Sequence, residues 1–254
     1  MRINTITCSD PRDYNSYQDL VGLWETDPGR VEIAVQMHEG KVSPGTERYE
    51  WVRDVVDKLS YEFYRYHFAM HINGKWCNDI CNGKIPDELR PMFDARWLFE
   101  NHPHLVSRIQ LNMPVDTAKN LNPYVLKGVI ESFPNQEFII QYNDNTKEAV
   151  RKLNETGVWF TTLYDASGGR GILPKSWNAP VRADRPMGYS GGLSPENVKE
   201  NLTKISSHVS LLDDIWVDAE GKLKTDGKFD VARAIQYVKN VKSWDYNQWF
   251  GKQR

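Results

Sequence analysis

Short apolar runs rich in β-branched and aromatic residues alternate along this chain with segments of helical periodicity. Polar residues, glycines or prolines bound most of the runs, which is the pattern of strands in a sheet. Eight runs predict strands: Arg2–Cys8, Val31–His38, Phe63–Ile72, Val106–Met113, Phe138–Asn143, Val158–Tyr164, Met187–Ser190 and Asp214–Asp218. Helical patterns separate most neighbours, at Tyr49–Leu59, Pro86–Glu100, Pro123–Phe133, Lys147–Leu153, Pro195–Ile205 and Asp230–Val241.

This alternation of strand and helix is the repeat of a parallel βαβ unit. Eight repeats in 254 residues predict an α/β protein with a closed (β/α)8 TIM barrel, for which roughly 250 residues is usual. No glycine-rich dinucleotide-binding sequence follows the first strand, which disfavours an open nucleotide-binding sheet. We therefore predict a single barrel domain over residues 1–254, with an inserted loop near 74–86 and an aromatic C-terminal tail at 243–254.

Alternation within the strands predicts which side chains point into the barrel. In the second strand the apolar positions are expected to face the helices, which turns Gln36 and His38 inward. The same period of two turns Gln110 and Asn112 inward on the fourth strand. Active sites of such barrels gather at the C-terminal ends of the strands, so His38 and Asn112, which lie nearer strand ends, are site candidates.

The most informative stretch runs from Val158 to Glu200. Its first strand ends at Asp165 before a glycine-rich loop, and its second ends before a glycine pair and Ser194, which begins a helical pattern. Glycines let backbone N–H groups approach an anion closely, and a helix N-terminus adds a positive dipole end. The predicted phosphate-binding residues are Gly168, Gly169, Gly171, Gly191 and Gly192. Glycine is also the default turn residue, so two tight turns are the alternative.

Composition limits the partners of the chain. A formal net charge of −2 gives no bulk attraction for nucleic acid or an anionic membrane surface. No apolar run approaches the roughly 20 residues of a membrane span, and no signal-peptide core follows Met1. Three cysteines are too few for a disulfide framework and fit a reducing compartment, so we expect a cytoplasmic protein. Cys77 and Cys81 are only a weak zinc pattern. We predict no metal and no cofactor, and the oligomeric state stays open.

Motifs at the strand ends carry a specific resemblance. The first strand ends in Thr5–Ser9, the segment after the second strand contains Thr46–Tyr49, and the fourth strand contains Ile109–Met113. These are similar to the Lys-Ile-Cys-Gly, Ser-x-Arg-Tyr and Val-Gln-Leu-His-Gly motifs of phosphoribosylanthranilate isomerase, a (β/α)8 enzyme of tryptophan biosynthesis. The chain has the cysteine of the first motif but not its glycine.

The second half of the chain resembles this family more strongly, from about Val158 to Val241. Asp165 with Gly168–Gly171 is similar to the family's aspartate and Gly-Gly-x-Gly loop. Gly191–Val198 reproduces its Gly-Gly-Leu-x-Pro-Glu-Asn-Val motif. In the eighth loop, however, Ala219-Glu220 replaces paired serines that help the family to hold phosphate, and a glutamate there repels a phosphate dianion.

The resemblance implies an Amadori rearrangement of a phosphorylated aminoaldose to an aminoketose by acid and base catalysis. It implies that Asp165 is the general acid that opens the furanose ring and that Cys8 is the base that removes the C2 proton. These roles require a raised carboxyl pKa and a lowered thiol pKa. The expected substrate-binding residues are Arg48, Gln110, Asn112 and His38, and the ligand is a small phosphorylated sugar.

Other interpretations stay open at this point. In one interpretation, Asp165 is a turn or helix-capping residue and Cys8 is an inert buried thiol. For the whole chain, the alternatives are another lyase or epimerase on the same barrel, or a sugar-phosphate or nucleotide binding protein without isomerase activity.

Overall fold

The computed structural model describes residues 1–59, 66–93 and 106–250. Eight parallel strands follow one another in chain order and close into a barrel, so the predicted fold class is confirmed. The strands are β1 Arg2–Ser9, β2 Val31–Met37, β3 His67–Ile72, β4 Val106–Leu111, β5 Glu137–Tyr142, β6 Thr161–Tyr164, β7 Met187–Tyr189 and β8 Asp214–Ala219. After β8 comes a short antiparallel hairpin of β9 Lys224–Thr225 and β10 Lys228–Phe229. Residues 63–65, predicted to begin the third strand, lie outside the described residues.

Helices occupy most of the connections between the strands. They are α1 Tyr17–Trp24, α2 Glu47–Leu59, α3 Gly74–Cys81, α4 Arg90–Phe93, α5 Val115–Lys119, α6 Pro123–Ser132, α7 Lys147–Glu155, α8 Val198–Ser206 and α9 Val231–Phe250. None of the helices in the described parts of the chain is long and apolar enough to cross a membrane.

Three predictions about where helices lie need correction. Residues 74–81, predicted to belong to an inserted loop, form α3, because its apolar side chains recur at helical spacing and are buried. The helix α8 begins at Val198 instead of Pro195, after a turn in which the Ser194 carbonyl accepts the N–H of Val198 at 3.0 Å. The helix α9 continues to Phe250, so the predicted aromatic tail begins inside it. Residues 94–100, predicted to be helical, lie outside the described residues.

The chain divides into two compact units. The first comprises Met1–Ile33 with the described residues from Leu163 onward, and the second comprises the described residues of Ala34–Thr162. In the first unit, β8 pairs in parallel with both β1 and β7. In the second unit, β4 pairs in parallel with both β3 and β5. That residues 1–254 form one domain stays a prediction.

A buried tryptophan fixes the packing of the first unit beneath the candidate site. Trp216 of β8 lies opposite Thr5 of β1 and opposite Gly188 of β7. Residues opposite each other on parallel strands point to the same face, so the indole lies over Gly188. A Cβ atom on that glycine would lie 2.2 Å from the indole ring. Asp218, two residues after the tryptophan, shares this face near the C-terminal end of β8.

Candidate active site

Asp165 directly follows β6 and is buried. Its carboxylate accepts hydrogen bonds from the N–H and hydroxyl of Ser167 at 3.0 and 2.7 Å. It also accepts the N–H of Gly169 at 2.5 Å. The four residues of β6 are all buried, which anchors the aspartate at the strand end. The turn role expected as an alternative for Asp165 is therefore present, and its carboxylate holds the glycine loop in shape.

The two glycine loops pack directly against each other. Gly191 and Gly192 have φ values of 99° and 79°, which favour glycine. A Cβ on Gly192 would lie 2.8 Å from the carbonyl oxygen of Gly171, and one on Gly191 would lie 3.0 Å from a carboxylate oxygen of Asp165. Close packing of the loops and of Asp165 therefore requires glycine at both positions.

The backbone amides of these loops divide into two sets. The N–H groups of Gly168 and Gly169 donate to the carbonyl and the carboxylate of Asp165. Within the described residues, no protein acceptor receives the N–H groups of Gly171, Gly191 and Gly192. The nine-residue helix α8 follows this second loop. Among the predicted phosphate-binding glycines, Gly171 and the pair after β7 therefore have donors available to an anion.

Asp218 is a second buried carboxyl, which the sequence analysis placed only at the end of the predicted eighth strand. It accepts a hydrogen bond from the Ser9 hydroxyl at 2.6 Å. Burial raises its pKa to about 8 although the Ser9 bond lowers it, and the charges of Glu220, Glu32 and Asp165 raise it further. Asp218 is consequently protonated at neutral pH and able to donate a proton. The signal in the sequence was an aspartate at the end of a predicted strand.

Cys8 faces away from these carboxyl groups. Its neighbour Thr7 lies opposite Asp218 in the strand register, and Ser9 on its other side bonds to that carboxyl. Side chains alternate along a strand, so the thiol points to the opposite face, where α9 packs against β1. Burial raises the pKa of Cys8, and nearby carboxylate charges raise it further.

This geometry is the reverse of what the expected base role of Cys8 requires. That role needs a lowered thiol pKa and a side chain turned toward the other reacting groups. The structure instead gives a fully buried thiol with a raised pKa. Its surroundings are those of the inert buried cysteine that was the alternative.

Four charged side chains form what we call the rim cluster: Asp10, Arg12, Glu220 and Lys224. Asp10 follows β1 and accepts from Arg12 Nη2 at 2.9 Å and from Lys224 Nζ at 2.8 Å. Lys224 Nζ also lies 3.2 Å from Glu220 Oε1. Two positive and two negative charges make the cluster neutral. Burial raises the pKa of Glu220 although Lys224 opposes it.

In the second unit, Gln110 and Asn112 belong to a chain of polar side chains. Gln110 Nε2 donates to Asn112 Oδ1 at 2.9 Å, and Asn112 Nδ2 donates to Asn73 Oδ1 at 3.0 Å. Asn73 Nδ2 donates to Gln36 Oε1 at 2.7 Å, and Gln36 Nε2 lies 3.2 Å from His71 Nδ1. The structure therefore brings these two predicted residues together at the ends of β3 and β4, with Asn73 as a link that the sequence did not predict.

Arg48 and His38 occupy different settings. The guanidinium of Arg48, in the first turn of α2, lies 5.0 Å from the ring centre of Trp51 in the same helix. His38 follows β2, and its carbonyl accepts the N–H groups of Lys41 and Val42 in a turn. The contact of Arg48 with Trp51 and the hydrogen bonds of the His38 carbonyl are both local. Their substrate-binding roles stay predictions.

The first unit thus combines a proton donor, a second carboxyl and amide donors for an anion. Asp165 lies close enough to Asp218 for its charge to contribute to the raised pKa of Asp218. Among the described residues, no group of three or more histidine, cysteine, aspartate or glutamate side chains could hold a metal ion. Chemically, two carboxyl groups beside amide donors that are available to an anion suit proton transfer on an anionic substrate.

No protein-family model matches the sequence. Over 104 residues the chain is 29% identical to N-(5'-phosphoribosyl)anthranilate isomerase from Methanosarcina acetivorans, and the match covers 37% of this chain and 40% of that protein. The chain thus spans about two fifths of the length of this curated relative. The resemblance predicted from the motifs is confirmed as a similarity of sequence.

Solved structures share the barrel. Phosphoribosyl anthranilate isomerase from Thermus thermophilus has a TM-score of 0.51 at 16% identity, covering 96% of this chain and 99% of that chain. Tryptophan synthase from Mycobacterium tuberculosis has a TM-score of 0.54 at 15% identity, covering 94% and 93%. Identities this low show a common fold, and enzymes with different names share it.

Proposed function

We propose that the chain catalyses an Amadori-type aldose-to-ketose isomerisation of a phosphorylated aminosugar, of the phosphoribosylanthranilate isomerase type. The observation that carries the proposal is the pair of buried carboxyls, Asp165 and Asp218, at the ends of β6 and β8. Similarity to the Methanosarcina isomerase and to the barrel of the Thermus isomerase supports it. The reaction is proposed to be cytoplasmic and to need no cofactor.

In this proposal the two carboxyl groups share the proton transfers. Asp218, protonated at neutral pH, donates its proton to the furanose ring oxygen while the bond from that oxygen to C1 breaks. The amine nitrogen supplies the electron pair, which gives a Schiff base. Asp165, which accepts rather than donates its hydrogen bonds, takes the C2 proton to give an enolamine that tautomerises to the ketose. The acid role predicted for Asp165 is thus exchanged for that of the base, and Cys8 takes no part.

The phosphate group is proposed to bind after β7. The amides of Gly191 and Gly192 point to this assignment because no protein group in the described chain accepts their hydrogen bonds. The positive end of α8 adds to their attraction for an anion. Gly168 and Gly169, in contrast, serve mainly to hold Asp165.

A fluorescence assay on phosphoribosylanthranilate tests the proposal, because isomerisation changes the fluorescence of the anthranilate group. We expect turnover by the parent protein and a loss of about 100-fold or more in kcat for Asp165→Asn and for Asp218→Asn. Asp144→Asn is the matched control, since this aspartate is exposed and distant in sequence from both. Absence of turnover by folded parent protein refutes the isomerase assignment.

A second candidate is a sugar-phosphate binding protein without catalysis. The orientation of Cys8 and the structural hydrogen bonds of Asp165 favour it. The same variants separate the two functions. If Asp165→Asn abolishes turnover but still binds the ligand, the binding-only interpretation fails.

A further inference from the structure

The eighth loop holds a lysine whose two carboxylate partners differ in their burial. Lys224 Nζ lies 2.8 Å from Asp10, whose side chain is 2% exposed, and 3.2 Å from Glu220, whose side chain is 41% exposed. The lysine itself is 19% exposed. The inner contact is therefore shorter and more shielded from water than the outer contact, although the Glu220 carboxyl is itself buried enough for its pKa to be raised.

The inner partner keeps the lysine in place. Asp10 is held on its other side by Arg12 at 2.9 Å, and it lies directly after β1. The hairpin that carries Lys224 is fixed to the same connection, because the Tyr14 hydroxyl accepts the N–H of Phe229 at 2.7 Å. The ammonium group consequently has a defined position whether or not Glu220 stays beside it.

The outer partner, Glu220, occupies a position beside Lys224 that another anion could take. The longer contact with the partly exposed Glu220 is weaker than the contact with buried Asp10, because water competes for the Glu220 carboxylate. A phosphate dianion carries more charge and more acceptor oxygens than a carboxylate, so it interacts more strongly with an ammonium group. Exchange of Glu220 for a phosphate therefore replaces one charged hydrogen bond of the lysine with a stronger one.

The loop that supplies amide donors is tied to this region. Arg233 of α9 pairs with Glu196, just after the Gly191-Gly192 pair, at 2.8 Å. Its Nε donates to the carbonyl of Lys222, two residues before Lys224, at 3.2 Å. One side chain thus bridges the connections after β7 and β8.

We propose that Lys224 is the cation that receives the phosphate group of the substrate and that Glu220 occupies its place until the substrate binds. This inference rests on the proposed function for the nature of the substrate, and it adds a binding residue and an internal competitor. The ligand class is a phosphate monoester dianion. The glutamate in the eighth loop then does not exclude phosphate, because it moves away from the lysine.

Calorimetric titration with inorganic phosphate tests the exchange, since two substitutions must act in opposite directions. Glu220→Gln removes the competing charge and keeps Lys224 paired with Asp10, so the Kd for phosphate should fall by about threefold to tenfold. Lys224→Met removes the receiving cation, so the Kd should rise by about tenfold or more. Lys222→Met is the matched control, because this exposed lysine lies two residues away, and its Kd should stay within about twofold.

The result that overturns the proposal is an unchanged or weaker phosphate affinity in Glu220→Gln. Absence of phosphate binding by the parent protein also overturns it. Glu220→Gln leaves the Lys224–Asp10 pair intact, so the test does not depend on the folding of Lys224→Met. Phosphate binding without isomerisation sustains the inference and refutes the proposed isomerase. Isomerisation with the same KM in parent, Glu220→Gln and Lys224→Met refutes the inference alone.

Discussion

Replacing Asp218 by asparagine should make folding of this protein less sensitive to pH. Burial raises the pKa of this carboxyl from 3.8 to about 8. Between these values the folded protein holds a proton that the unfolded chain releases. Stability therefore falls as the pH rises through this window, by about 1.4 kcal/mol per pH unit for this single group. Asparagine does not titrate, and its side-chain oxygen can still accept the Ser9 hydroxyl.

The magnitude follows from the width of the window. From about pH 5 to about pH 7.5 the group costs the parent protein on the order of 3 kcal/mol of unfolding free energy. The stability of Asp218→Asn relative to the parent should rise by this amount over the same range. That is a large effect, since small proteins are stable by only about 5–15 kcal/mol.

Urea denaturation followed by circular dichroism at several pH values measures this difference. Comparison of parent and variant at each pH cancels the other titrating groups, provided that the denaturant slope stays the same. Asp226→Asn is the control, because this aspartate is exposed and in the left-handed region, which asparagine also tolerates. A pH-independent difference between parent and Asp218→Asn refutes the raised pKa and, with it, the proposed proton donor.

Two further substitutions test the packing around Trp216 and the catalytic role of Cys8. Gly188→Ala places a Cβ 2.2 Å from the Trp216 ring and should lower the unfolding free energy by about 3 kcal/mol or more. Gly221→Ala, where nothing lies within 4 Å, is its control, and equal losses contradict the packing. Cys8→Ala should keep roughly the parental kcat in the fluorescence assay, because the thiol faces α9; a loss of about 100-fold or more restores the cysteine as a catalytic group.

The barrel could be predicted because its signals are local. Each strand is a short run of residues with a strong preference for extended structure, and most helices between them have their own apolar periodicity. The helix over Gly74–Cys81 was missed although it has the same periodicity. Its two cysteines are ambiguous, since they serve equally as metal ligands in a loop and as small apolar residues in a helix.

The side of β1 on which the Cys8 side chain lies could not be predicted, because it depends on how β1 pairs with the neighbouring strand β8. The register between β1 and β8 shifts between Ile3 and Thr5. One extra residue changes which later positions share a face with earlier ones, so counting by twos from the start of the strand fails. A motif match identifies the type of residue at a position, whereas the side toward which it points is set by the neighbouring strands.

The chemistry of Asp218 and of the rim cluster depends on residues far apart in the sequence. Ser9 meets Asp218 across 209 positions, and Asp10 meets Lys224 across 214. A carboxyl is raised or lowered in pKa by the groups around it, and these are set only when the barrel closes. The sequence could therefore name Asp165 as a candidate from its motif, but it gave no reason to prefer Asp218 as the proton donor.

The effect of Glu220 on phosphate binding depends on its ion-pair partner, Lys224. Taken alone, a glutamate in place of a serine adds one negative charge where a phosphate is expected, and it should weaken binding. Lys224 lies four residues later, and its positive charge, 3.2 Å from Glu220, neutralises the added negative charge. The pair therefore leaves the net charge of the loop unchanged. Loss of both side chains together should therefore disturb the local potential less than loss of Lys224 alone. The binding of a phosphate then depends on whether the lysine can exchange one anion for another, which is a property of the pair and not of either residue.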